Sequence, residues 1–200
     1  MVSEQMYELG MKKSTIRTIF EYGQKRAAKV GAENVFDFSL GNPSVPTPDF
    51  IRDAAVDILT HSDPMEVHGY TIAPGKPQVR EILAADLKKR FGIEITGKNL
   101  FLTAGAAASV TIAFKALAEP GDEFVTIAPF FPEYRVFVES CGGKLAVVPA
   151  KTDDFQIDFT AFEAAITPHT KAVIINSPNN PSGAVYSEMT IRQLAELLHA

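Results

Sequence analysis

The chain has 200 residues, room for one large domain or one and a half. Apolar residues make up 46% of it, which allows a sizeable buried core and excludes long disorder. The net charge of −5, from 19 basic against 24 acidic residues, is scattered along the chain, so no basic stripe offers itself to nucleic acid.

Cys141 is the only cysteine, which excludes an internal disulfide framework and fits a reducing cytoplasm. Without CxxC spacing it reads as structural. His61, His68, His169 and His199 form no metal-ligand spacing and read as structural or surface residues. No apolar run reaches the roughly 20 residues of a membrane span, and the N-terminus lacks a signal peptide's apolar core.

In chain order, the pattern predicts a helix over 14–29, with Ser14 as its cap and Ile16, Ile19 and Phe20 on one face. "VFDFSL" (35–40) is strand-like and ends at "GNPSVPTP", where three prolines force an extended loop. "DFIRDAAVDILTH" reads as a helix opening with Asp49 in a capping position. "KPQVREILAADLKKRFG" reads as an amphipathic helix with Val79, Ile82, Leu83, Leu87 and Phe91 on one stripe and Gly92 as its stop.

A strand over Asn99–Thr103, a small-residue turn over Ala104–Ala108 and a helix over Ser109–Ala118 follow. "EFVTIAPF", "KLAVVPA" and "KAVIIN" read as buried strands, and a last helix starts at Ser187 and reaches Ala200 with no C-cap, as if inside a larger protein. Strands rich in Val, Ile and Phe alternate with helices. That order predicts an α/β fold with a mostly parallel sheet covered by helices on both faces.

Ligands of such sheets bind in the crevice beyond the carboxyl ends of the strands. Three strands end there in unusual chemistry: "TAGAAAS", "APFFPEY" and "NSPNNPSG". In the first, the amides of Gly105, Ala106 and Ala107 suit a phosphate at a helix N-terminus, although tight strand–helix packing also asks for small residues. In the second, Phe130 and Phe131 sit between Pro129 and Pro132, and a ring held there can stack on a flat heteroaromatic ligand or simply join the core. Side chains alternate, so at most one of the pair faces the crevice.

In the third, the Asn180 amide suits a phenolate or carboxylate oxygen, or else its own backbone in an Asx-turn, the reading that also covers Asn176 and Asn179. Tyr70 is a core-edge residue or a hydroxyl offered to a phosphate. Gly41, beside Asn42, serves a turn or leaves bare backbone against a substrate carboxylate.

In the order "SLGNPSVPTP", "YTIAPGKPQVR", "TAGAAAS", "PGDEFVTIAPFFPEY", "NSPNNPSG", these motifs resemble the class I/II pyridoxal-phosphate (PLP) aminotransferases of fold type I, the aspartate aminotransferase superfamily. The resemblance runs from about residue 35 to 186, and its last motif matches the specific family pattern NPxNPTG.

It implies that the backbone at Gly105, Ala106 and Ala107 holds the PLP phosphate. Many members carry Ser, Thr or Lys in this turn; with only alanine here, the main chain must do more. It further implies that Phe131 stacks on the pyridine ring, where many members use Tyr or Trp. Asn180 would bond the phenolic oxygen and orient the substrate carboxylate, and a cis bond would precede Pro181. Tyr70 would reach the phosphate of the neighbouring subunit's cofactor in a homodimer, and Gly41 would line the substrate carboxylate pocket. The cofactor would act as electron sink for carbanion chemistry while the protein positions it.

The resemblance also implies a domain plan. Residues 1–45 would form an N-terminal arm and small-domain segment, and 46–200 the N-terminal part of the large PLP-binding domain, with its sheet incomplete. The Schiff-base lysine, the carboxylate beside the pyridine nitrogen and the substrate arginine would all lie beyond Ala200. The implied activity is amino transfer between an amino acid and a 2-oxo acid in the cytoplasm. Three readings compete with it: a carbon–sulfur lyase or decarboxylase of the same fold, a PLP-sensing regulator, and a non-catalytic PLP-binding fragment. The regulator expects a basic helix-turn-helix ahead of the motifs, where only some 35 residues stand. The fragment would expose a hydrophobic sheet edge.

Overall fold

Continuous apolar runs, buried on both faces, place the strands of the central sheet. The computed structural model describes residues 2–11, 15–41 and 45–199, and the chain divides into two compact units, Met1–Tyr70 and Thr71–Ala200. Ser14 and Asn42, singled out above, lie outside the described residues.

The first unit holds four helices among its described residues: α1 (Glu4–Met11), α2 (Thr15–Val30), α3 (Asp49–His61) and α4 (Pro64–His68). Pro48, not Asp49, takes the N-cap position of α3. Asp49 stands in the first helical turn, where a carboxylate complements the helix dipole. The strand expected over 35–40 is absent among the described residues. Phe36 and Phe38 alternate as a strand would, but a strand needs a neighbour to complete its hydrogen-bond ladder. This segment has none, and both rings are largely exposed.

The second unit opens with α5 (Pro77–Phe91), closed by Gly92 as expected. Its apolar stripe is not core: Val79, Ile82, Leu83 and Phe91 are exposed, and only Ala84 is buried. The expected strand 99–103 is also absent. A 3₁₀ turn over Gly97–Asn99 leads into extended backbone that no strand pairs. A side chain and one loop bond hold it instead: Arg80 Nη1 donates to the carbonyls of Gly97 (2.8 Å) and Leu100 (3.4 Å), and the Leu102 backbone N–H donates to the Pro74 carbonyl.

Then come α6 (Ala106–Leu117), β1 (Glu123–Ile127), α7 (Glu133–Glu139), β2 (Lys144–Val148), α8 (Phe159–Ala165), β3 (Thr170–Ile174) and α9 (Glu188–His199). The sheet is parallel in the order β2–β1–β3, with Phe124 opposite Leu145 and Ala172. Side-chain alternation sorts its residues onto two cores. Val125, Ile127 and Val148 pack with Phe162 of α8 and Leu194 of α9. Phe124 and Leu145 pack on the other face with Phe114 of α6 and Val138 of α7. The parallel sheet clad on both faces is therefore the observed architecture. Among the described residues no helix is long and apolar enough to cross a membrane.

Candidate functional site

α6 begins three residues before the expected start. Alanine is the best helix former, so "AAAS" belongs to the helix and not to the turn before it. Gly105 is the N-cap, at φ 88° and ψ 168°, a conformation that disfavours any side chain, and no side chain caps the helix there. The N–H groups of the first turn have no intrahelical acceptor and sit at the positive end of the helix dipole.

Ala106 and Ala107 open onto a cleft of about 290 Å³. Phe131 and Tyr134 form one wall, with ring centroids 5.6 Å apart and planes at 82°. Asn176, Pro178 and Asn180 form the opposite rim, beyond the carboxyl end of β3. Among the described residues no charged side chain lines this cleft, so its attraction for an anion comes from the helix end.

The Phe130–Phe131 pair divides as alternation requires: Phe130 packs against the Phe114–Phe124 core, and Phe131 faces the cleft. The asparagines divide too. Asn179 Oδ1 accepts from the N–H (3.1 Å) and hydroxyl (2.8 Å) of Ser182, turn chemistry of the Asx kind. Asn176 Oδ1 accepts from the Asn180 N–H at 2.7 Å. The Asn180 side chain is exposed at the cleft, and among the described residues nothing bonds its carboxamide. The Asn180–Pro181 bond is cis.

Gly41 and Tyr70 belong to the other unit, Met1–Tyr70. Among the described residues, a Cβ on Gly41 would meet no atom within 4 Å, so no local contact demands glycine there. Tyr70 is fully exposed.

Sequence reasoning missed Tyr134, Phe137 and Val110 as cleft residues. A signal existed for two of them. Tyr134 and Phe137 are three residues apart, which puts them on one face once α7 is recognised as a helix. Burial pushes the Tyr134 phenol above its ordinary pKa.

An anion-binding helix end, an aromatic wall and a free carboxamide at the strand ends of a parallel α/β sheet define a site for a flat, anionic cofactor. The family model for aminotransferase class I and II matches residues 33–200, and the chain belongs to that family. It is 34% identical to the aspartate aminotransferase of Streptomyces avermitilis over 84% of this chain and 41% of that one. Over 90% of this chain and 44% of the relative, it is 33% identical to a probable N-succinyldiaminopimelate aminotransferase of Mycobacterium tuberculosis. Among solved structures, an aminotransferase from Eubacterium rectale superposes with a TM-score of 0.95 at 53% identity, covering 99% of this chain and 50% of that one. The chain thus spans about half the length of these three proteins, or less.

The cleft's donor set fits PLP. Backbone amides suit its phosphate, a phenyl face suits its pyridine ring, and a free carboxamide suits its phenolic oxygen.

Proposed function

We propose that the full-length protein is a PLP-dependent aminotransferase, moving an amino group between an amino acid and a 2-oxo acid. One observation carries the reading: Ala106, Ala107, Phe131 and Asn180, widely separated in sequence, line a single cleft. Bound PLP supplies an electron sink for a carbanion at the amino acid's Cα.

The residues of this chain do the positioning. The amides of Ala106 and Ala107, following Gly105, donate to the phosphate, and the phenyl face of Phe131 packs on the pyridine ring. The Asn180 carboxamide donates to the phenolic oxygen and orients the substrate carboxylate, whose pocket Gly41 lines. Tyr70 gives its hydroxyl to the phosphate in the neighbouring subunit of a homodimer, which agrees with its full exposure in the single chain. Residues 1–45 act as arm and small-domain segment, and 46–200 as the first part of the PLP-binding domain. The family match and the lone cysteine favour a cytoplasmic enzyme.

Titrating the full-length protein with PLP and reducing with borohydride should label one lysine. Incubation with aspartate, the donor in the name of the Streptomyces relative, and 2-oxoglutarate should yield oxaloacetate and glutamate. If no lysine is labelled, the reading fails. If labelling succeeds without product from aspartate, a panel of other amino donors follows.

A further inference from the structure

Gly105 has no side chain with which to cap α6, yet its peptide is tethered. Thr103 Oγ1 donates to the Gly105 carbonyl at 3.1 Å, and the Ser109 hydroxyl is hydrogen-bonded to the Thr103 hydroxyl. The same carbonyl accepts the first helical bond, from the Ser109 N–H at 3.3 Å. A peptide unit is planar and its C=O and N–H point in opposite directions. Holding the Gly105 carbonyl therefore aims the Ala106 N–H, and Ala106 opens onto the cleft.

The geometry points to Thr103 and Ser109 as positioning residues of the cofactor site: their hydroxyl pair orients the Gly105–Ala106 peptide so that its N–H meets the phosphate. This inference rests on the PLP reading above. It also explains how a turn made only of glycine and alanine can hold a phosphate. The hydroxyls work one step back, on the carbonyl side of the peptide, where they fix a donor instead of being one. An amide held in place beforehand loses less freedom when the ligand arrives, so the gain appears as affinity for the phosphate itself.

The test compares PLP with pyridoxal, which lacks the phosphate, by spectroscopic titration of the full-length protein. Thr103→Val removes the hydroxyl at nearly constant volume, Ser109→Ala removes its partner on an exposed helix position, and Thr103→Ser restores the donor. The expected result is a threefold to tenfold weaker PLP dissociation constant, on the order of one hydrogen bond, for Thr103→Val. Ser109→Ala should show a smaller loss, Thr103→Ser should recover the affinity, and pyridoxal binding should be unchanged throughout. Equal weakening toward PLP and pyridoxal would assign the pair a merely structural role and overturn the proposal, as would unchanged PLP affinity in both variants. If Thr103→Val does not fold, Ser109→Ala decides alone by the same PLP-to-pyridoxal ratio. If the unsubstituted protein binds no PLP, the parent reading falls and this inference falls with it.

Discussion

The side-chain oxygen of Asn176 accepts the backbone N–H of Asn180 at 2.7 Å. Two asparagines of one motif therefore have different tasks. Asn176 spends its oxygen on the main chain of its neighbour, and that leaves the carboxamide of Asn180 displayed at the cleft.

Asn176→Ala should therefore loosen the loop that carries Asn180. The lost bond costs about 1 kcal/mol of stability, read as a lower urea midpoint. PLP affinity should fall a few-fold in the same variant. Asn176→Asp keeps an acceptor oxygen and should retain the urea midpoint, while its charge on the rim of the cleft lowers affinity for the anionic cofactor. A variant with an unchanged midpoint and unchanged affinity would remove Asn176 from this role.

Phe131 sets the aromatic wall and meets Tyr134 edge-on at 5.6 Å. Stacking of a heteroaromatic ring on an aromatic side chain is worth ~1–3 kcal/mol, at least fivefold in affinity. Phe131→Ala should weaken PLP binding by that factor, and Phe131→Tyr should preserve it. Phe130→Ala should behave oppositely: Phe130 packs into the core, so thermal stability falls while the wall stays in place. Calorimetry and PLP titration of the two variants separate the roles, and a Phe131→Ala protein with native affinity would exclude stacking.

Much of this architecture was legible in the sequence. The three strands of the sheet carry apolar runs, and "APFFP" and "NNPSG", which follow two of them, contribute Phe131 and Asn180 to one cleft. Two other expected strands failed for one physical reason. A strand is a property of a pair, and "VFDFSL" and 99–103 have no strand partner among the described residues. The start of α6 was misplaced because small size was read as turn, when Ala106–Ala108 follow a glycine whose backbone already makes the turn. Short helices such as α7 and α8 escaped because seven residues hold too few turns to show a period. The Thr103–Ser109 contact was invisible in principle, since nothing in spacing alone says which hydroxyl meets which carbonyl.

Arg80 replaces the missing strand partner. Its guanidinium donates to the carbonyls of Gly75 (3.2 Å), Gly97 (2.8 Å) and Leu100 (3.4 Å), while the adjacent Glu81 accepts the Gly97 N–H at 3.2 Å. One helix turn thus grips both polar groups of a buried glycine. The joint is tight on its other side as well: Gly75 sits at φ +94°, and a Cβ there would lie 2.7 Å from Leu102 Cδ1. Arg80→Ala should cost about 2–4 kcal/mol, because it removes charged donors and leaves partly buried carbonyls unsatisfied. Arg80→Lys should recover only part, since an ammonium lacks the planar fork that reaches three carbonyls. Denaturant melts of the three proteins test the order. A lysine variant equal to the native protein would mean that the fork does not matter.

Two tyrosines give the stability a pH dependence of known sign. Burial raises the phenol pKa of both Tyr134 and Tyr186 above the ordinary 10.0. Below pH 10 both phenols are protonated in the folded and unfolded chains, and their contribution is constant. As pH climbs past 10, the unfolded chain ionises first while the folded phenols stay neutral, so stability is lost up to and through the folded pKa values. Tm followed from pH 8 to 11 should therefore fall more steeply for the native protein than for a Tyr134→Phe, Tyr186→Phe double variant. Phenylalanine keeps the ring packing of both sites, including the core position of Tyr186, and removes only the ionising group. Other lysines and tyrosines titrate in the same range in both proteins, so the difference between the two slopes isolates these two phenols. Identical slopes would show that neither phenol resists ionisation in the fold. A difference carried wholly by Tyr134→Phe would place the effect in the cleft, and one carried wholly by Tyr186→Phe would place it in the core under α9.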